Sequence, residues 1–283
     1  DASAEPAASA PEPPAMASGA SAPAAAASAP PAFDWPPSTR LSYALTGNYR
    51  GPVEGQAQVE WLRSGLHYQV RLDVDVGPSF APLVARRVVS DGRLTDQGLY
   101  PERYDQSTRV LFGAPRDVTI TFNDAWVGLP DGRSFIRPPG VQDTASQFVQ
   151  LTWLFTTRPE LLAPGTAIQI PLALPRHVQT WTYDVIGHEL LATRFGTIDT
   201  LHVKPRREAR AGGDLVAEMW IAPTLQYLPV RILIRQDAQT YVDLLISKLP
   251  LQAVAEPAAE AAPASASTAA SGIIAPPLKG DRR

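Results

Sequence analysis

The sequence predicts a mainly β protein, built as a curved antiparallel sheet or partial β-barrel of about ten to twelve strands with one buried helix. Three observations support this fold class. Apolar and polar residues alternate with a period of two through much of the chain between residues 34 and 250. Gly-containing turn pairs separate the alternating segments, and one apolar segment breaks the period. A β-sandwich is the alternative architecture.

The first three strands are predicted to form a meander over residues 41–76. Every second residue is apolar in 41–45, 57–61 and 66–76, and the residues between them are mostly polar. Such alternation is typical of a strand with one face on the core and the other in water. Ser64-Gly65 supplies the turn before the third strand.

Two Asp-Gly pairs predict tight turns in the middle of the chain, at residues 91–92 and 131–132. Asp-Gly suits the positive φ angles of a two-residue hairpin turn. The first pair is therefore expected to join strands at 83–90 and 93–97, and alternation predicts another strand at 118–122. Three neighbouring strands with short connections are predicted near the end of the domain, at 215–221, 230–236 and 241–247.

The segment 142–155 lacks the two-residue period and is predicted to be a helix of about 12 residues. Asp143 precedes it as an N-cap, and Pro159 follows it as a stop signal. The later half of the segment is apolar on almost every side. A helix of this kind has to be covered all round, and the hollow of a curved sheet would cover it.

Composition changes at both ends of this domain. The first 32 residues contain 15 Ala, 7 Pro and 5 Ser, and a similar composition returns after residue 250. Such segments bury too little apolar surface to offset the entropy lost on ordering. The sequence therefore predicts a disordered Ala/Pro/Ser-rich linker at 1–33, a single β-rich domain at 34–250 and a disordered Ala/Pro-rich tail at 251–283.

Charge and motifs argue against several classes of function. Residues 34–249 hold 22 basic and 22 acidic residues, and a neutral core argues against nucleic acid as a partner. The chain has no Cys, which excludes disulfides and thiolate chemistry. Its four His residues lack metal-ligand spacing, and there is no G-x-S-x-G elbow, P-loop or dinucleotide fingerprint. We expect no metal, no cofactor and no enzymatic activity.

Two groups of residues are candidate ligand-binding sites. The first is the basic segment 202–210, where Arg206 and Arg207 offer forked donors suited to a phosphate or acidic headgroup; a solvated loop paired with carboxylates is the alternative interpretation. The second lies on the helix and would form the wall of a ligand cavity: Phe148, Leu151, Leu154 and Phe155. Aromatic residues either line such a cavity or simply fill the core: Trp61, Tyr68, Trp126, Trp153, Trp181, Tyr183 and Trp220.

Several short strings occur in a fixed order along the domain: SDGR at 90–93, GLYP at 98–101, VQDTAS at 141–146, IQIP at 168–171 and LPVRI at 228–232. This pattern resembles the bacterial family of domains of unknown function numbered 3108, in the proteobacterial branch with a Pro/Ala-rich N-terminal region. The resemblance implies an exported or inner-membrane-tethered envelope protein and supplies no activity. Residues 215–236 also resemble the periplasmic lipoprotein-carrier families, which are half-barrels with a helical plug that shelters acyl chains.

These observations predict a protein of the cell envelope, periplasmic or anchored in the inner membrane and facing the periplasm. The chain begins with Asp1, so we expect that a signal peptide or a membrane anchor preceded it. The favoured function is non-enzymatic binding of an apolar or amphipathic ligand, such as a lipid, in the concavity of the sheet. The alternatives are an envelope scaffold that acts through protein partners and, least favoured, a hydrolase with an unrecognised site.

Overall fold

The computed structural model describes residues 33–253, which form one sheet, one α-helix and two short 3-10 helices. The strands, in chain order, are β1 Thr39–Asn48, β2 Pro52–Ser64, β3 His67–Val76, β4 Val84–Thr95, β5 Gly98–Val110, β6 Arg116–Phe122, β7 Trp126–Gly128, β8 Ser134–Ile136, β9 Ala167–Leu174, β10 His177–Thr193, β11 Gly196–Pro205, β12 Val216–Ala222, β13 Leu228–Arg235, β14 Tyr241–Ile246 and β15 Leu251–Gln252. The helices are α1 Ser146–Thr157 and the 3-10 turns Pro159–Leu162 and Pro223–Leu225. None of these helices has the length and apolarity needed to cross a membrane.

The strands follow one continuous antiparallel order, β8-β7-β6-β5-β4-β3-β2-β1-β14-β13-β12-β11-β10-β9, and β15 pairs with the start of β1. The predicted fold class is confirmed: the protein is mainly β, with a large curved, unclosed antiparallel sheet and one helix. The sheet has more strands than predicted because β7, β8 and β15 are only two or three residues long, too short for alternation to reveal. All strands in the described part of the chain belong to one sheet, so the sandwich alternative does not apply.

The strands predicted at both ends of the domain are confirmed. β1, β2 and β3 form the meander, and Gly65 adopts a φ of 59° in its second turn. β12, β13 and β14 pair in sequence. The turn predicted at residues 131–132 is also confirmed, because Gly132 has a φ of 84° between β7 and β8.

The hairpin predicted at residues 91–92 is wrong, because β4 runs without interruption through this Asp-Gly pair. The register against β5 shifts between Asp91 and Gly92, which marks a β-bulge. A Cβ atom on Gly92 would lie 2.2 Å from the carbonyl oxygen of Tyr100 and 2.8 Å from the ring of Tyr68. The glycine therefore permits close packing inside the sheet instead of a chain reversal.

The predicted helix is confirmed, although its first helical residue is Ser146. Asp143 still supplies cap hydrogen bonds, because its Oδ1 accepts from the backbone N–H groups of Ala145 and Ser146, both at 2.8 Å. No residue between Ser146 and Phe155 is exposed. The helix is covered all round, as expected for a helix that lies in the hollow of a curved sheet.

Gln142 connects β9, at one end of the open sheet, to β5 near the other end. Its backbone N–H donates to the carbonyl of Pro171 in β9 at 2.9 Å, and its carbonyl accepts from the N–H of Ala173 at 2.8 Å. Its side-chain Nε2 donates to the carbonyl of Leu99 in β5 at 3.0 Å. One residue therefore holds both flanks of the sheet around α1, although no strand pairing in the described part of the chain closes a barrel.

The linker predicted at 1–33 and the tail predicted at 251–283 lie almost wholly outside the described residues, so both stay predictions. The sheet itself extends slightly past the predicted domain end at residue 250. Leu251 and Gln252 pair with Arg40 and Thr39 at the start of β1.

Candidate functional site

An open pocket of about 430 Å³ lies at the connection between β11 and β12, residues 206–215. Its size is within the range of small-molecule sites in proteins, about 300–1,000 Å³. It coincides with the basic segment that the sequence singles out. The pocket is lined by Trp181, Arg206, Arg207, Glu208, Arg210, Gly213, Asp214 and Val216.

The first part of β10 supplies one wall of the pocket. β10 begins at His177 beside β9, but it meets β11 only from Tyr183, which pairs with Pro205. The six residues before Tyr183 therefore extend past the end of β11. The connection turns along this free edge, where the backbone N–H of Arg206 donates to the carbonyl of Thr182 at 2.8 Å.

Arg206 is neutralised by a neighbouring carboxylate. Its Nε donates to Asp184 Oδ2 at 2.7 Å, and its Nη2 lies 2.7 Å from Asp184 Oδ1. This forked pair holds the pKa of the Asp184 carboxyl below its usual range. The charge of Arg206 is therefore largely committed to a protein partner.

Arg207 has no such partner. Its guanidinium lies 4.8 Å from the ring centroid of Trp181, and its Nη2 donates to the amide oxygen of Gln179 at 2.7 Å. Among residues 33–253 it forms no ion pair with a carboxylate. A charged guanidinium supported by a neutral amide and an aromatic face keeps donors available for an anion.

Three buried nitrogen atoms on β10 lack a hydrogen-bond partner among residues 33–253: His177 Nε2, Gln179 Nε2 and Trp181 Nε1. They occur at every second position of β10, so they share one face of the sheet. Trp181 is only 2% exposed. A buried donor without an acceptor costs about 1–3 kcal/mol, so such groups in native proteins normally meet a bound molecule or water.

The acidic residues of the pocket are held by other cations. Asp214 Oδ2 lies 3.1 Å from His177 Nε2, without the alignment of a hydrogen bond, and Asp214 Oδ1 accepts from Arg176 at 3.4 Å. Glu208 lies 3.8 Å from Arg210, and both side chains are more than four-fifths exposed. The pocket therefore retains one cation, Arg207, that no described carboxylate balances.

The helix residues predicted to contact a ligand are packed into the core. Leu151 and Phe155 are fully buried, Leu154 is 5% exposed, and Phe148 is half-buried against the core. All four lie on α1, and none of them lines the pocket. The structure thus brings Arg206 and Arg207 together but separates them from the apolar group, whose role in binding stays a prediction.

A second polar cluster is enclosed beside the start of α1. Ser90 Oγ donates to Asp143 Oδ2 at 2.6 Å, and the Tyr68 hydroxyl lies 3.3 Å from Ser90 Oγ. Burial raises the pKa of both Asp143 and Tyr68. Asp143, Ser90 and Ser146 are fully buried, and the contacts of Asp143 join the start of α1 to β4. We assign this cluster a structural role.

The sequence prediction named the two arginines but not the row of donors on β10. The available signal was the alternation of His177, Gln179 and Trp181, which places their side chains on one face. Nothing in the sequence showed that the connection at 206–215 would lie against that face. Trp181 did appear among the aromatic residues considered for a cavity.

The family described as "Protein of unknown function (DUF3108)" matches residues 41–245, which include the whole pocket. Among solved structures, one that is similar is the crystal structure of a beta-barrel-like protein of domain of unknown function DUF1849 from Brucella abortus. The two chains share 10% identity with a TM-score of 0.48, and the similarity covers 75% of this chain and 96% of the other. A comparison with curated proteins gave no match.

Proposed function

The chain belongs to the DUF3108 family of proteins of unknown function, and we propose that it is a non-enzymatic binding protein of the cell envelope. It acts in the periplasm or tethered to the inner membrane on the periplasmic side. Its ligand is an amphipathic molecule with an acidic group, and the pocket at the β11–β12 connection receives that group. The Ala/Pro/Ser-rich first 32 residues would act as a spacer.

The proposal rests on the contact between Arg207 and the ring of Trp181, whose buried indole N–H has no acceptor among the described residues. The guanidinium lies over the Trp181 ring and lacks a carboxylate partner, while Trp181 Nε1 is buried without an acceptor. We infer that a phosphate or carboxylate oxygen bound beside the two residues accepts from both groups. Hydrogen bonds to a charged acceptor are stronger than neutral ones, and a planar guanidinium suits two-oxygen acceptors.

The pocket also has a small apolar wall, because its two apolar lining residues are almost fully buried. Val216 and the Trp181 ring line it together with the charged residues. A molecule with an acidic group and an adjoining hydrocarbon portion can therefore contact both kinds of wall. This mixture of convergent polar groups and apolar surface is typical of small-molecule sites.

The test is calorimetric titration of the full chain with dihexanoyl phosphatidic acid as a soluble probe. We expect Arg207→Gln to weaken binding about tenfold or more, because a hydrogen bond to a charged group contributes about 1.5–3 kcal/mol. Arg194→Gln is the matched control, since Arg194 is an exposed arginine in the turn between β10 and β11. The control should bind like the wild type.

Two further probes separate the parts of the ligand. Inorganic phosphate carries only the acidic group, and octyl glucoside carries only an apolar chain with a neutral head. The proposal predicts that phosphatidic acid binds more tightly than either. Equal affinity of the wild type and Arg207→Gln for phosphatidic acid would contradict it, as would equal affinity of the wild type for phosphatidic acid and octyl glucoside.

A further inference from the structure

Two neighbouring loops form an uncharged tip at one rim of the sheet. The first joins β3 to β4 at residues 77–83, with the sequence GPSFAPL, and the second joins β5 to β6 at residues 111–115, with the sequence LFGAP. The backbone N–H of Leu111 donates to the carbonyl of Leu83 at 3.0 Å, so the loops lie side by side. We call these two loops the apolar tip.

The apolar tip exposes two aromatic side chains almost completely. Phe80 is 90% exposed and Phe112 is 96% exposed. Three aliphatic neighbours at the base are also exposed, namely Leu83, Val110 and Leu111. Single exposed apolar residues are common on soluble proteins, whereas a contiguous group of this kind marks a surface that meets a partner or a membrane.

Backbone hydrogen bonds hold the apolar tip in shape. The N–H of Gly77 donates to the carbonyl of Glu54 at 2.7 Å, and the N–H of Gly113 donates to the carbonyl of Val110 at 3.0 Å. Pro78, Pro82 and Pro115 further restrict the two loops. The exposure of the Phe side chains is therefore set by a turn structure that is formed in advance.

Two arginines flank the apolar tip at its base. Arg109 is the second-last residue of β5 and Arg116 is the first residue of β6, and both are exposed. Neither forms an ion pair with a carboxylate in residues 33–253, although Asp117 follows Arg116 in the chain. Arg87, which lies farther from the loops, is instead paired with Asp73 and Asp75.

From this arrangement we propose that the apolar tip inserts into the surface of an anionic lipid bilayer. Phe80 and Phe112 enter the boundary between headgroups and acyl chains, while Arg109 and Arg116 contact lipid phosphates. Apolar side chains beyond a cationic base match the order of layers in a bilayer, where hydrocarbon lies beneath anionic headgroups. This surface is separate from the ligand pocket and does not depend on the proposed function.

The test is co-sedimentation of the full chain with vesicles of phosphatidylglycerol and phosphatidylcholine, compared with pure phosphatidylcholine. We expect the wild type to prefer the anionic vesicles and to lose that preference as salt is raised. The double variant Phe80→Ser/Phe112→Ser should lower partitioning about tenfold or more. The double variant Arg109→Gln/Arg116→Gln should remove most of the salt dependence.

A matched control distinguishes the apolar tip from general hydrophobicity. Leu66 and Leu190 are 69% and 73% exposed and lie outside these loops, so Leu66→Ser/Leu190→Ser should sediment like the wild type. Arg207→Gln should also sediment like the wild type, which separates the apolar tip from the pocket. Vesicle binding that Arg207→Gln abolishes and the Phe variant retains would overturn the proposal. So would a Phe80→Ser/Phe112→Ser variant that binds the anionic vesicles as the wild type does.

Discussion

Asp143 is a fully buried carboxylate with no cationic partner among the described residues. It accepts hydrogen bonds from two backbone N–H groups and from Ser90 Oγ. These bonds stabilise the ionised form, but burial is the largest influence and raises the pKa of the carboxyl. Asp143 therefore binds a proton more readily in the folded protein than in the unfolded chain.

This raised pKa predicts a specific dependence of stability on pH. A carboxyl whose pKa is higher in the folded state stabilises the folded protein fully below the unfolded pKa, about 3.9. This stabilisation is lost as pH rises from there through the folded pKa. Asp143→Asn has no such titration, so its stability relative to the wild type should rise over this window. Asp143→Ala should cost about 2–4 kcal/mol at pH 4, because it removes these hydrogen bonds and leaves buried donors unpaired, and this cost should shrink over the same pH window.

Urea unfolding of the two variants and the wild type between pH 4 and pH 7 measures this difference. The comparison with wild type removes the contributions of other carboxyls, such as Asp184, whose lowered pKa values give the opposite slope. A constant difference between Asp143→Asn and wild type over the whole range would contradict the assignment.

At the scale of the element, α1 links the two flanks of the sheet. Gln150 Oε1 accepts from the backbone N–H of Leu99 in β5 at 2.8 Å, and Gln147 Oε1 accepts from the Tyr183 hydroxyl in β10 at 2.6 Å. Its apolar residues fill the space between these contacts. The helix is thus part of the core and also connects the two flanks of the open sheet.

Phe155→Ala tests whether α1 acts as core or as the wall of a ligand cavity. Phe155 is fully buried, and truncation of a buried Phe costs about 3–5 kcal/mol of unfolding free energy. If α1 is only core, the folded variant should bind dihexanoyl phosphatidic acid within about twofold of wild type, because the pocket is separate. Denaturant unfolding and calorimetry on one preparation measure both quantities; a large loss of affinity with little loss of stability would instead place the ligand beside α1.

The strands and the helix were predictable from the sequence where the pattern of neighbouring residues determines them. Alternation over 41–76 identifies the meander because each strand keeps one wet face, and the apolar run at 142–155 identifies α1 because it fits no strand pattern. The Asp-Gly pair at 91–92 misled because the same residues suit a turn and a bulge, and only the packing of Gly92 against β5 decides between them. The shortest strands, β7, β8 and β15, have too few residues to show a two-residue alternation.

The candidate site was only half predictable for the same reason. Two adjacent arginines are visible in the sequence, but their different roles depend on residues more than twenty positions away. Arg206 meets Asp184, and Arg207 meets Gln179. These contacts arise because β10 extends past the end of β11, and the β11–β12 connection turns along the free edge of β10. Strand length and register decide this arrangement.

At the scale of the whole molecule, strand registers place the pocket and the apolar tip at the same rim of the sheet. The rim can be followed through paired strand ends: Val76 with Gly55, Pro52 with Asn48, Asn48 with Tyr241, Tyr241 with Arg235, and Arg235 with Val216. β1 begins at the opposite rim, and β15 pairs there. A bilayer contacted by the apolar tip would therefore face the same side as the pocket mouth, which suits an amphipathic ligand.

The indole N–H of Trp181 reports directly on whether the pocket receives an acidic group at Arg207 and Trp181. The chain has six Trp residues, so a ¹⁵N–¹H spectrum of the full chain shows six indole signals, and Trp181→Phe identifies one of them. On titration with dihexanoyl phosphatidic acid, we expect the Trp181 signal to move downfield as its proton gains an acceptor, while the other five stay close to their positions. A Trp181 signal that does not move at saturating ligand would show that the acidic group does not bind there.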